Sequence, residues 1–357
     1  MSTFERFSEQ HEAKRLLDAA LVEGPVHAYL FYGPPGVRKR RFARTFAQEL
    51  LGTTRNVHPD LYELAALGEM IRIDAIRELR RDLHMRPFEA SRRVYVIQSA
   101  HLMNEDAFDA LLKDLEEPPE YAVIILVADD LGPIPATIRS RCQLVPFTRL
   151  SERAILEALD ARAPGLDPAA RLALARVAGG SLDRLARALD PQSAERRAAL
   201  LAQARAVYSE PGFEPSDAAS VLLENSRARG VEARDLEDVK VRALELPTRE
   251  ADQRVKRAQR GAEREELLDQ LEELASWYRD LLVVGVGAEK AATHVDLLEL
   301  LRADATRERL LGAERAAEAV RDTWRRLEEF QLAPQVALEA LFVVLARELG
   351  GRTASLV

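Results

Sequence analysis

Apolar and polar positions change their period once along this chain. Over residues 9–22, Ala13, Leu16, Leu17, Ala20 and Leu21 recur at helical spacing, which predicts an amphipathic helix. Residues 28–32 (AYLFY) form a short apolar run of strand character, and 39–51 return to a helical pattern. His58-Pro59-Asp60 leads into a predicted strand at 61–64, a helix at 74–83 bearing Ile76 and Leu79, and a strand at 94–97. Asn104 is a helix N-cap by residue type, and the helix it opens should run through Leu115 and stop at Pro118-Pro119. Residues 121–127 (YAVIILV) are continuously apolar and rich in β-branched side chains, as a strand buried on both faces should be. Residues 138–142 follow a proline-rich turn and lead into a strand at 143–147. Strands therefore alternate with helices from 28 to 147, the pattern of an α/β domain with a parallel sheet.

From Leu150 the strand signal stops. Helices are predicted at 152–161, 168–178 and 182–189, the last two separated by Gly179-Gly180-Ser181, and Pro191 marks a boundary. The remainder reads as helical, broken near 211–215 and at Leu246-Pro247. A charged stretch at 249–266 runs into 267–284, where Leu267, Leu271, Leu274, Leu281 and Leu282 form an apolar stripe, and a last helix spans 334–349. Trp277, Tyr278 and Trp324 sit at helical positions as packing or interface anchors. No internal repeat is present.

Composition narrows the class. A chain of 357 residues, 47% hydrophobic, supports two or three domains with real cores. No run of eighteen apolar residues predicts a membrane span, and residues 1–10 lack the apolar centre of a leader, so a cytoplasmic setting is expected. The single cysteine, Cys142, excludes an internal disulfide and a multi-cysteine zinc site, and the six histidines show no metal-ligand spacing. No metal is expected. A formal net charge of -8 argues against a chain that grips DNA by itself. The densest basic run, Arg254, Lys256, Arg257, Arg260 and Arg264, is interleaved with and followed by Glu263, Glu265 and Glu266 and reads as a solvated helix face.

The candidate chemistry lies between the first predicted strand and its helix, in Gly33-Pro34-Pro35-Gly36-Val37-Arg38-Lys39-Arg40. Strand, glycine-rich turn and helix is the context in which backbone N–H groups cradle a phosphate. Gly33, Gly36 and Lys39 are the candidate phosphate-binding residues. Against the pattern G-x-x-x-x-G-K-[ST], Arg38 replaces the second glycine and Arg40 replaces the hydroxyl that would hold Mg²⁺. The strand at 94–97 ends in Gln98-Ser99-Ala100-His101, without the carboxylates that hold the metal and polarise water in a working ATPase. ATP hydrolysis is therefore not expected and no cofactor is assigned. The loop is either a structural turn or, through Arg38, Lys39 and Arg40, an anion holder. Arg141 in Ser140-Arg141-Cys142 is, by itself, either a surface arginine or an arginine finger that stabilises charge on a phosphate held by another subunit.

Several segments together carry a family resemblance. They are residues 27–31, the degenerate loop at 33–40, His58-Pro59-Asp60, residues 104–119 (NEDAFDALLKDLEEPP), residues 137–142 (TIRSRC) and residues 179–184 (GGSLDR). The chain resembles the AAA+ clamp-loader family of bacterial DNA polymerase III, and within it the delta-prime type, strongly over about residues 1–190 and more weakly at 277–282 and 333–342. The resemblance implies an AAA+ α/β domain with a degenerate P-loop (1–149), a helical lid (150–191) and a helical collar (192–357) that assembles a hetero-oligomeric ring. It implies a non-hydrolysing subunit that donates Arg141 to a neighbouring ATP site. Its partners would be the ATPase (gamma/tau) and delta subunits and, through the assembly, the sliding clamp and primer-template DNA. The alternative within the family is an ATP-hydrolysing gamma/tau-like subunit. Arg184 falls at the lid position that senses nucleotide in active relatives, or else is a structural arginine. Many relatives carry a four-cysteine zinc module after the first helix of the sheet domain; only residues 52–57 stand there in this chain, without cysteine.

Overall fold

Five strands pair in parallel in the order β2-β3-β4-β1-β5: β1 (Ala28–Tyr32), β2 (Leu61–Leu64), β3 (Arg93–Ile97), β4 (Ala122–Ala128) and β5 (Gln143–Pro146). This computed structural model describes residues 3–7, 9–55, 57–65, 70–243, 248–330 and 332–350. Two compact units emerge, one of Met1–Arg162 with Ala178–Leu185, the other of Ala163–Val177 with Ala186–Val357.

In the first unit, β4 is buried along its whole length because both faces of the sheet are covered. Val123, Ile125 and Val127 meet Tyr29, Phe31, Phe42 and Phe46 on the face packed by α1 (His11–Glu23) and α2 (Lys39–Leu51). Ile124, Leu126 and Ala128 meet Ile76, Leu79, Leu111 and Leu115 on the face packed by α3 (Ile73–Leu83) and α4 (Glu105–Glu116). A run apolar at every position is thus split by the pleat between two cores. Asn104 caps α4, its Oδ1 accepting from the Ala107 N–H at 3.1 Å. After α4 and β4 this unit continues with the short α5 (Ala136–Arg139), β5, α6 (Glu152–Arg162) and, past Gly179, Gly180 and Ser181, the start of α8 (Leu182–Ala188); α7 (Pro168–Ala178) belongs to the second unit through Val177.

The motif His58-Pro59-Asp60 has a structural reason. Asp60 is buried, and its carboxylate accepts from the backbone N–H groups of Phe88, Glu89 and Ala90 at 2.6, 2.8 and 2.8 Å. Its own N–H donates to His58 Nδ1 at 3.1 Å. Burial opposes ionisation of Asp60, but the three N–H donors outweigh it and hold the carboxyl below its ordinary value. Asp60→Ala leaves three donors without that acceptor and is expected to cost about 3 kcal/mol in all, near 1 kcal/mol each. Urea unfolding of the two proteins measures it; an unchanged midpoint and slope would remove Asp60 as the anchor of this loop.

The second unit contains α9 (Pro191–Ser209), α10 (Pro215–Ala243), α11 (Thr248–Gly285), α12 (Leu298–Asp304), α13 (Arg307–Phe330) and α14 (Pro334–Leu349). The expected break at Leu246-Pro247 lies outside the described residues. The stripe on α11 is the spine of this core: Leu267, Leu271, Leu274 and Leu281 are buried and Leu282 is partly so. Trp277 and Tyr278 are fully buried, Trp277 Nε1 donating to Tyr208 Oη at 3.1 Å and Tyr278 Oη to the Ala204 carbonyl at 3.2 Å. Trp324 differs, standing 39% exposed on α13. In the basic run, Arg254 is already bonded to Glu237 of α10.

Candidate functional site

The loop after β1 keeps the frame of a phosphate loop in detail. Gly33 has φ 140°, and a Cβ there would stand 2.1 Å from the Phe147 carbonyl oxygen. Gly36 has φ 76°, and a Cβ there would meet Ser181 Oγ at 1.9 Å. Only glycine fits at either place. Arg38 takes the left-handed conformation, φ 74°, that a glycine would supply at no cost. An L-residue there costs about 1–2 kcal/mol. Its Nε is buried without a hydrogen-bond partner, and burial, then Arg41 and Arg162, lower its pKa.

Lys39 opens α2 and is 4% exposed. Its Nζ donates to the Gly33 carbonyl at 2.5 Å and the Pro34 carbonyl at 2.5 Å, and pairs with Asp129 Oδ1 at 2.7 Å. Burial lowers the pKa of the ammonium, opposed by the Asp129 carboxylate. Arg40 turns to β3, its Nη2 donating to Ser99 Oγ at 3.2 Å. Ser99 stands in the left-handed region and Gln98 Oε1 is buried without a partner, so the end of β3 offers no carboxylate. Asp129 follows β4, the neighbour of β1, where Tyr32 lies opposite Ala128. The Asp129 N–H donates to His101 Nδ1 at 3.1 Å, which puts the ring proton on Nε2. Burial lowers the pKa of His101, against the pull of Asp129. The segment before α8 reaches the loop: the Leu182 N–H donates to the Gly36 carbonyl at 2.9 Å. Arg184 is half-buried on α8, and its N–H donates to Ser181 Oγ at 3.3 Å.

Gly33, Gly36 and Lys39 are therefore brought together, and Arg141 is not among them. Gln143 lies opposite Tyr29, so Arg141, two residues before Gln143, sits at the edge of the sheet where the strands begin. The loop lies where they end, so that the first residue of β5, Gln143, is already about 13 Å from Gly33 along the strand direction. Arg141 Nη1 donates to the Thr137 carbonyl at 2.9 Å and Ser140 Oγ at 3.3 Å, and Nη2 pairs with Glu116 Oε1 at 2.6 Å. The guanidinium is 34% exposed despite these bonds. Cys142 is half-buried and its thiol is pushed up to about 12 by burial, which removes it as a nucleophile.

Sequence reasoning missed two of these groups. Asp129 is the first polar residue after β4, and a carboxylate directly closing that apolar run was the available signal. Glu116 lies in the LEEPP segment, but nothing local pairs it with Arg141. Among the described residues no group of three or more His, Cys, Asp or Glu could hold a metal ion, and no helix is long and apolar enough to cross a membrane.

Residues 5–151 match the family described as DNA polymerase III, delta subunit. The chain is 36% identical over 164 residues to the DNA polymerase III subunit tau of Bacillus subtilis, covering 42% of this chain and 29% of that protein. It is 34% identical over 178 residues to the tau/gamma subunit of Haemophilus influenzae, covering 44% and 26%. It thus spans less than a third of the length of these curated relatives. Among solved structures, a gamma subunit-related DNA polymerase III protein of Thermotoga maritima is 17% identical, covers 94% of this chain and 99% of its own, and superposes with a TM-score of 0.49.

Proposed function

We propose that this chain, whose residues 5–151 are of the clamp-loader AAA+ family, is a non-hydrolysing subunit of a DNA polymerase III clamp loader, of the delta-prime kind. The observation that carries this is the split between the two edges of the sheet. At one edge the loop has no metal hydroxyl, no acidic pair at the end of β3, and a lysine already bound to Asp129. At the other, Arg141 is pinned by Glu116 and Thr137 and is partly exposed, too far away to serve the chain's own loop. A guanidinium so held serves a phosphate on another subunit or none.

In this reading residues 1–149 present Arg141 to a neighbouring gamma/tau ATPase subunit, 150–191 form the lid and 192–357 the collar through which the ring assembles. The delta subunit is a further partner, and the sliding clamp and primer-template DNA are reached through the assembly. The rival, an ATP-hydrolysing gamma/tau-like subunit, is favoured by one observation: the relatives named above are tau and gamma subunits. Arg38, Arg40, Gln98 and Ser99 separate the two. The purified chain with Mg²⁺ and ATP is expected to show no turnover above background. Turnover that vanishes on Lys39→Ala would establish the rival.

A further inference from the structure

We propose that Lys39 and Asp129 form an internal lock in which the Asp129 carboxylate takes the place of a phosphate, so that the loop is closed to polyphosphate anions by its own chain. The proposal concerns this chain alone and holds whether or not the chain sits in a clamp-loader ring.

A lysine ammonium has three N–H donors. In this loop the Gly33 carbonyl, the Pro34 carbonyl and Asp129 Oδ1 supply three acceptors, at 2.5, 2.5 and 2.7 Å. The donor capacity that would meet the outer phosphates of a nucleotide is therefore spent. A phosphate brought to Lys39 must displace Asp129 and then share the space with a displaced carboxylate of like charge. Arg40 is engaged with Ser99, and His101, the other group beside Asp129, accepts from the Asp129 N–H and has its protonation opposed by burial.

The carbonyls of Gly33 and Pro34 hold the ammonium in the orientation of a phosphate loop, and the donor left over is the one taken by Asp129. From the other side Leu182 donates to the Gly36 carbonyl, and Ser181, 3% exposed, abuts Gly36 so closely that a Cβ there would collide with it. Loop, strand end and the segment before α8 thus hold one another. The lysine has become a tie between the loop after β1 and the end of β4, a buried ammonium held by a half-exposed carboxylate.

Isolated full-length chain tests this with inorganic pyrophosphate and ADP as probes, by calorimetric titration and thermal unfolding. Wild type is expected to bind neither at millimolar concentration. Asp129→Asn, which keeps the shape and removes the charge, is expected to raise pyrophosphate affinity by about tenfold or more, the change equivalent to one ion pair of moderate strength. Asp129→Ser serves as a second variant, and circular dichroism confirms the fold of each. Lys39→Met and Asp129→Asn are each expected to lower the melting temperature, and the double variant to lower it by less than the sum, since the second change removes a partner already gone. Two results overturn the lock. One is wild-type binding of ADP or pyrophosphate that Lys39→Met abolishes and Asp129→Asn leaves alone, which makes Lys39 an ordinary phosphate ligand. The other is additive melting shifts with no gain of anion affinity, which means the pair is not coupled to the site. Both are read on the isolated chain, so either outcome leaves the role of Arg141 to its own test.

Discussion

In a ring reconstituted from this chain and the gamma/tau and delta subunits proposed as its partners, Arg141→Ala is expected to lower clamp- and DNA-stimulated ATP turnover while assembly stays intact. Charge develops on the transferred phosphoryl group, and a guanidinium already in place stabilises it without reorganisation. Loss of an arginine finger costs about 10³–10⁵ in rate at the site it serves. A ring with several sites retains the turnover of the others, so the total falls by a fraction and the affected site, isolated by Walker-lysine variants in the other subunits, falls by the full factor. The ties to Glu116 and Thr137 say that the side chain is held for a purpose of geometry. Arg141→Lys is expected to rescue poorly, since a point charge replaces a planar fork. Arg139→Ala, two residues away on α5, is the control. Equal rates for wild-type and Arg141→Ala rings, with assembly confirmed by size-exclusion chromatography, would make the chain a scaffold only.

In the helical unit the largest expected effect comes from Asp280→Ala. Asp280 is fully buried on α11, and its Oδ2 accepts from the Thr293 N–H at 2.7 Å, the His294 N–H at 2.8 Å and His294 Nδ1 at 2.8 Å. The other ring nitrogen of His294 meets Glu273 Oε1 at 3.1 Å, and Arg197 closes the network on Glu273 at 2.6 Å. Burial alone would lower the pKa of His294; the two carboxylates reverse this and hold it at about 9. Glu273, despite its own burial, is held at about 2 by His294 and Arg197. Removing one member of such a pair leaves a buried imidazolium half-compensated and costs about 3–5 kcal/mol. The same network sets a pH dependence. The folded pKa of His294 lies above its ordinary 6.5, so its contribution is complete below about 6.5 and is lost as the pH rises through about 9. The size is about 3 kcal/mol, from a rise of between two and three pKa units. Thermal unfolding between pH 6 and 10 should show this decline in wild type and a flatter profile in His294→Gln; the same slope in both would remove His294 as its source.

Much of the fold is legible in the residue pattern alone. The continuous run at 121–127 read as a strand covered on both faces, because an exposed face would have required alternation, and β4 at Ala122–Ala128 is buried throughout. Asn104 and Pro118-Pro119 bounded α4 by capping and by the loss of a donor. The leucine stripe at 267–282 foretold the spine of the helical core. The damage to the phosphate loop was equally plain in Arg38 and Arg40. These are consequences of residue type within a few positions, where backbone sterics and hydrogen-bond chemistry act locally. What the sequence left open was what stands opposite what. Lys39 and Asp129 are brought together because β1 pairs with β4 and not with β3, a matter of strand order that local pattern does not encode. The distance between Arg141 and the loop follows from the register of β5 on β1. The partners of Arg141, Asp60 and His294 are carboxylates or backbone groups on other elements, each one of many equivalent in sequence. The sequence by itself determined the elements and the chemistry this chain lacks. Only the tertiary structure decided which charges meet, because an ion pair is chosen by the packing of the sheet and helices that carry its two ends.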